Sequence, residues 1–319
     1  MPHFVWWILG GFAASGIIFW IISYIVAAKL VYKNTLRRNT SDQWSREIPS
    51  DVHPDSLTMY RIGQEWADAN AAACTDVHIV RDGLNLYGEF YNFGGTRCAM
   101  ILSGRTECLK YGYYFAIPYA KAGYNILVVD PRGHGKSDGT FNTVGFEESK
   151  DAIAWVRHIG EAFNQTSFVF HGICIGAAAG ILALTAEDCP DCIDAIVTEG
   201  MFPNFAESMK NHLIERKKPV RGLLGLINLE MKRHTGHSMR VGPINVIDKL
   251  DKPLLMLHSK EDLYSTPVYA QKLFNKAGSK EKSLIWFEKG RHSMLRITDT
   301  ARYDSAITEF LAKNFATKI

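Results

Sequence analysis

The sequence predicts an α/β fold, a mostly parallel sheet flanked by helices, preceded by one transmembrane helix. Three observations carry this. Residues 4–28 are a 25-residue run without a formal charge. From residue 76 onward, short apolar β-rich runs alternate with helical ones, the pattern of βαβ units. Two glycine-bearing motifs fall where strands hand over to the next element. The composition agrees: at 319 residues, 47% hydrophobic and 22% charged, the chain is neither disordered nor a disulfide scaffold. A net charge of +3 is too small to suggest a nucleic-acid partner.

At 1.5 Å per residue, the first run is long enough to cross a hydrocarbon core of about 30 Å. Trp6, Trp7 and Tyr24 lie near its ends, where amphipathic rings favour the interface. A cleaved signal peptide is the rival reading, with Val26-Ala27-Ala28 as its small-residue site. No Lys or Arg precedes the run, however, and it is too long for a signal core. Lys29, Lys33, Arg37, Arg38 and Arg46 follow it against the single acid Asp42. The positive-inside tendency therefore predicts a single-pass membrane protein with its bulk in the cytoplasm. The cysteines show no framework spacing, in keeping with a reducing compartment. Residues 29–75 read as a polar tether and an amphipathic approach helix, and residues 76–319 as the folded domain.

Within that domain, residues 76–80 and 84–92 flank Asp82-Gly83, a hairpin turn signal. Residues 98–103 form a buried strand followed by a helix reaching residue 122, and residues 124–130 a second. Residues 146–161 place Ile153, Val156 and Ile159 on one helical face. Residues 167–173, 193–198, 253–258 and 283–287 are further strands, with helices over 175–187 and 301–315. Residues 201–246 break the alternation and read as a lid. They join an apolar cluster (Leu223, Leu224, Leu226, Ile227, Leu229) to a basic set of net +6 between residues 208 and 240. The plainer reading of that insertion is a solvated helical pair with a charged outer face.

Gly172-Ile173-Cys174-Ile175-Gly176 stands between a strand and a helix. This is the G-x-nucleophile-x-G elbow with Cys in place of the usual Ser. Its glycines allow a strained turn, and the helix start beyond it favours an anion. A buried structural cysteine is the plainer reading of Cys174.

Asp130-Pro131-Arg132-Gly133-His134-Gly135-Lys136-Ser137-Asp138-Gly139 follows the preceding strand. Together with the elbow, this D-x-R-G-x-G-x-S-x-G loop resembles the α/β-hydrolase family across residues 76–319, most closely its membrane-anchored lysophospholipase-like and serine-aminopeptidase-like members. The resemblance implies a triad in the chain order nucleophile, acid, histidine. Cys174, Asp262 and His292 fill it, with Glu261 as runner-up for the acid because Asp262 stands one residue further from Pro267 than is usual. It also implies an oxyanion hole made by the amides of Ile175 and Arg105, the latter in Ser103-Gly104-Arg105 where the family commonly carries His-Gly. The Arg105 guanidinium is a candidate for a substrate carboxylate or phosphate. His134, His171 and His258 are expected to be structural.

These features predict hydrolysis of an acyl ester or thioester, with no cofactor or metal and with a small acyl substrate and the membrane lipid surface as partners. An acyltransferase using the same triad, or a weakly catalytic lipid- or partner-binding relative, is the alternative. Cys189 and Cys192 have C-x-x-C spacing but close a helix rather than open one, and so read as structural or surface thiols.

Overall fold

A computed structural model describes residues 3–38 and 54–315. Helix α1 (His3–Leu36) is followed by α2 (Pro54–Ala69) and then by an alternating body. Its strands are β1 (Cys74–Arg81), β2 (Leu84–Tyr91), β3 (Arg97–Leu102), β4 (Asn125–Val129), β5 (Ser167–Ile173), β6 (Ile193–Glu199), β7 (Leu254–Ser259) and β8 (Lys282–Phe287). Its helices are α3 (Leu109–Lys121), α4 (Phe146–Phe163), α5 (Ile175–Leu184), α6 (Phe205–Glu215), α7 (Leu223–Thr235), α8 (Pro267–Lys276), α9 (Leu295–Thr298) and α10 (Thr300–Phe315).

The eight strands form one sheet in the order β1-β2-β4-β3-β5-β6-β7-β8. Only β2 runs against its neighbours, so the expected leading hairpin contributes one antiparallel strand. Its turn, Asp82-Gly83, has φ of 52° and 74°, the left-handed pair that Asp-Gly favours. The central parallel strands, β3 to β7, are buried on both sides and sort their residues with period two. Ala99 and Ile101 face one core cluster, with α3 and α10, while Cys98 and Met100 face the other, with α4 and α8. After β3 the chain crosses to β4 on one side, and after β4 it returns to β5 on the other. This reversal opens a crevice beyond the carboxyl ends of β3 and β5, where such sheets bind ligands.

Most elements match the sequence reading to within a few residues, and α8 is an additional helix. One difference matters more. Residues 29–36, expected to begin the tether, continue α1 as helix. Lys29 and Lys33 are good helix formers, so the end of the uncharged run does not end the helix. The i, i+4 spacing of Ala28, Tyr32 and Leu36 makes a stripe that is almost fully buried against the body. The stretch 39–53, the rest of that tether, lies outside the described residues, whereas the approach helix is present as α2. Among the described residues, one helix, Trp6–Leu36, is long and apolar enough to cross a membrane.

The insertion over 201–246 supplies α6 and α7. Its apolar cluster is partly spent inside the protein: Leu223 and Ile227 are buried, while Leu229 is exposed. Helix α7 packs along α1, with His234 stacked on Tyr32 at 5.4 Å between ring centres and on Phe141 at 4.7 Å.

Candidate active site

Strand register sets the site. Leu102 pairs with Gly172, Ile173 with Glu199, Glu199 with Leu257, and Ser259 with Phe287. The carboxyl ends of five strands therefore form one row. The residues just past them are Arg105, Cys174, Gly200, Asp262 and His292.

Cys174 occupies the elbow with φ 53° and ψ −109°, a conformation that costs energy for any residue other than glycine. It is 8% exposed, and its amide is tied to the Glu199 carbonyl at 2.9 Å. The flanking glycines are required by close approach. A Cβ at Gly176 would lie 1.9 Å from the Leu102 carbonyl oxygen, and one at Gly172 would lie 2.5 Å from Ala177 Cα. As the first helical residue, Ile175 has an amide that no carbonyl within the helix can satisfy.

His292 Nδ1 lies 2.7 Å from Asp262 Oδ2. The other oxygen, Oδ1, accepts from the amides of Tyr264 at 2.8 Å and Ser265 at 2.9 Å. Asp262 thus takes the place beside the histidine. Glu261 is exposed and receives only a long 3.3 Å bond from the Gly290 amide. Burial pushes the Asp262 carboxyl up, but the charge and hydrogen bond of His292, together with His258 and the Ser265 amide, hold it below the ordinary carboxylate range. For His292, burial disfavours the cation, yet Asp262 and Cys174 raise its pKa well above the usual imidazole value. Gly200, at φ +62°, makes room for the pair: a Cβ there would lie 2.9 Å from His292 Cε1.

The sequence gave no sign of several neighbours. Tyr264 stands edge-on to His292 with ring centres 5.6 Å apart, and His212 stacks on Tyr264 at 3.8 Å. Burial, then Arg105, His292 and Arg216, push His212 down to about 3, so it is a neutral ring at physiological pH. Beneath the site, Glu199 is fully buried. It accepts from Tyr303 Oη at 2.6 Å and from the Leu295 amide at 3.0 Å, just past His292 in the chain. Tyr303 also meets His171 Nε2 at 3.2 Å, and His171 Nδ1 meets Tyr119 Oη at 2.8 Å. His171 is therefore a buried network residue, as expected. The signal available in the sequence was a Glu closing a buried strand just after the apolar run Ala195-Ile196-Val197.

The loop over 130–139 is tightly bonded. Asp130 accepts from the amides of Leu109 and Lys136, both at 2.8 Å, and Ser137 Oγ donates to the Asp130 carbonyl at 2.7 Å. Arg132 forms a two-pronged pair with Asp151 of α4 at 2.7 and 2.6 Å. His134 faces the carbonyls of Arg132 at 3.0 Å and Arg105 at 2.6 Å. Arg105 lies within electrostatic range of Cys174, and its Nη1 donates to the Thr35 carbonyl at 3.1 Å. The guanidinium foreseen as a substrate contact is thus engaged by the end of α1. Cys189 and Cys192 are half-buried free thiols, and burial pushes Cys189 up to about 11.

A single antiparallel strand at β2, a switch point at β3/β5 and an elbow residue facing an acid-held histidine define a fold of the hydrolase class. The family described as "alpha/beta hydrolase fold" matches residues 100–237. A Bacillus subtilis protein, YqkD, is 32% identical over 217 residues, covering 67% of this chain and 69% of that one. Protein bem46 of Schizosaccharomyces pombe is 28% identical over 197 residues, 61% of this chain and 60% of its own length. The Pyrococcus furiosus esterase Pf2001 superposes with a TM-score of 0.65 at 20% identity, over 77% of this chain and 93% of that one. The chain belongs to the α/β-hydrolase family and is a hydrolase-class enzyme.

Proposed function

We propose that the protein hydrolyses an acyl ester or thioester through a covalent acyl-enzyme on Cys174, at the surface of a membrane that α1 crosses. The single observation that carries the reading is the alignment of Cys174, His292 and Asp262 along the strand ends, with the Asp262 carboxylate 2.7 Å from His292 Nδ1. In this mechanism the Cys174 sulfur attacks the acyl carbonyl, and the amides of Ile175 and Arg105 receive the charge that develops on oxygen. His292 takes the Cys174 thiol proton and delivers it to the leaving alcohol or thiol, then takes one from the water that releases the acid and returns it to the sulfur. Asp262 holds the imidazole orientation and balances its charge. The esterase relatives support the reaction class.

The membrane part rests on α1 and the α6–α7 loop. Side chains of α1 such as Phe4, Trp7, Phe12, Phe19 and Ile22 are exposed, as expected of a helix meeting lipid. Gly222 sits against Tyr24, so Arg216, Lys217, Lys218 and Arg221 gather where the helix emerges, a surface suited to anionic headgroups. The basic flank of the span orients the body toward the cytoplasm. Brief reaction with a p-nitrophenyl ester followed by intact mass measurement should show one acyl adduct, absent from Cys174→Ala. An adduct that persists in that variant would refute the nucleophile. Protease added outside intact cells should leave the body uncut, and cleavage there would reverse the orientation.

A further inference from the structure

The end of α1 does more than reach the body. Three of its residues enter the loops that frame the crevice. The Leu36 carbonyl accepts from the Asn142 amide at 2.8 Å, and the Arg38 amide donates to the Thr140 carbonyl at 2.6 Å, so 36–38 run antiparallel to 140–142. The Arg38 guanidinium donates to the carbonyls of Ser137 at 2.6 Å and Gly135 at 2.7 Å. His134, at the start of that clamped segment, bonds the Arg105 carbonyl at 2.6 Å. Thr35 takes the Arg105 guanidinium. Arg105 is thus gripped at its main chain through the Arg38-clamped loop, and at its side chain by Thr35 directly. The pairing of Leu102 with Gly172 sets this residue beside the elbow.

We propose that the end of the membrane helix, with the two residues that follow it, is a positioning element of the active site, Thr35 and Arg38 fixing the Arg105 amide where the acyl oxyanion forms. The inference rests on the acyl-enzyme reading above. An oxyanion donor works only if it is already in place before charge develops, and losing one costs about 10²- to 10³-fold in rate. A loop of this kind, left to itself, would sample many orientations of that amide. The helix end removes this freedom. It also sets the height of the site, because Thr35 lies only about 10 Å along the helix from Ala28. Acyl groups carried by membrane-resident molecules are then within reach, and catalysis depends on the anchor being attached and docked.

The test uses the full chain in nanodiscs and compares two reactions of Cys174. Acylation by a small neutral p-nitrophenyl ester passes through an oxyanion, whereas alkylation by iodoacetamide does not. Arg38→Ala should slow acylation tenfold or more while alkylation stays within about twofold, and Arg38→Lys should recover part of the loss. Should Arg38→Ala fail to fold, Arg105→Lys tests the same grip from the other side, because it keeps the amide and the positive charge near Cys174 while shortening the reach to the Thr35 carbonyl. Equal falls in both rates in a folded variant, or no fall in either, would overturn the proposal. Absence of any acylation in the unmodified protein would instead overturn the acyl-enzyme reading beneath it.

Discussion

On one side of Cys174, Asp262 and His292 leave the ends of adjacent parallel strands, and their meeting follows from the β7–β8 register. On the other side, Arg105 is held by a carbonyl of the membrane helix and a histidine of a loop, elements that share no sheet. The first arrangement is carried by the scaffold and would survive small changes in what surrounds it. The second is carried by packing between distant segments and depends on α1 and the two residues after it reaching the 135–142 loop. Two parts of one reaction, proton transfer and oxyanion binding, therefore rest on supports of different kinds. Each can be disturbed while the other is kept.

The largest expected effect lies on the scaffold side. Asp262→Asn keeps the shape but can no longer favour the imidazole tautomer that serves Cys174, and turnover should drop by on the order of 10⁴-fold. Glu261→Gln should change it by less than a factor of three, since that carboxylate is exposed and distant from the ring. Steady-state kinetics on a soluble ester checks both, and equal effects would erase the distinction between these adjacent acids.

The same contrast explains what could be read from the sequence. The elbow, the 130–139 loop and the acid–histidine order are local strings, and strand periodicity placed each of them at a strand end. Asp262 could be preferred but not separated from Glu261 by spacing, because the choice is made by the turn in which Asp262 Oδ1 collects the Tyr264 and Ser265 amides. The docking of α1 was hidden for another reason. Lys29 and Lys33 end the uncharged run, but a change of polarity along a helix is not a change of structure. The stripe of Ala28, Tyr32 and Leu36 has helical spacing, but nothing local says which surface it meets. Likewise, the partner of the Arg105 guanidinium is a backbone carbonyl 70 residues away, which no motif records.

A smaller effect probes the floor beneath the triad. Burial, against the pull of Tyr303, the Leu295 amide and His292, raises the Glu199 carboxyl to about 7, with Glu107 adding to the rise. Unfolded, it would titrate near the ordinary glutamate value of 4.5. Between these values the native state holds a proton that the unfolded chain has lost, so stability falls as pH rises through the window and levels off above it. The whole change is about 3 kcal/mol. Glu199→Gln keeps an acceptor for Leu295 and loses the titration, so its stability should be flatter than the parent's from pH 5 to 7. Parallel denaturation profiles for the two proteins would remove Glu199 from the pH response.

The smallest effect lies on the anchor side and asks what kind of contact holds it. Tyr32 is 3% exposed and stacks on Phe141 and His234, yet its hydroxyl is buried with no hydrogen-bond partner among the described residues. If the docking of α1 at this level is ring packing alone, the hydroxyl is a desolvated group with no compensation, a burden of about 1–3 kcal/mol before local relaxation. Tyr32→Phe should then preserve activity and leave stability unchanged or higher by up to about 1 kcal/mol, a rise in Tm of about 2–4 °C at most. Tyr32→Ala removes the stacked ring itself and should cost about 3 kcal/mol, as expected for a buried aromatic. It should also slow acylation, because the turn carrying Thr35 and Arg38 loses its nearest packed support. Thermal unfolding in nanodiscs, with the ester assay alongside, separates the two outcomes. A destabilised Tyr32→Phe would show that the hydroxyl is bonded when the bilayer is present, and that the anchor side, like the triad side, is held by polar contacts.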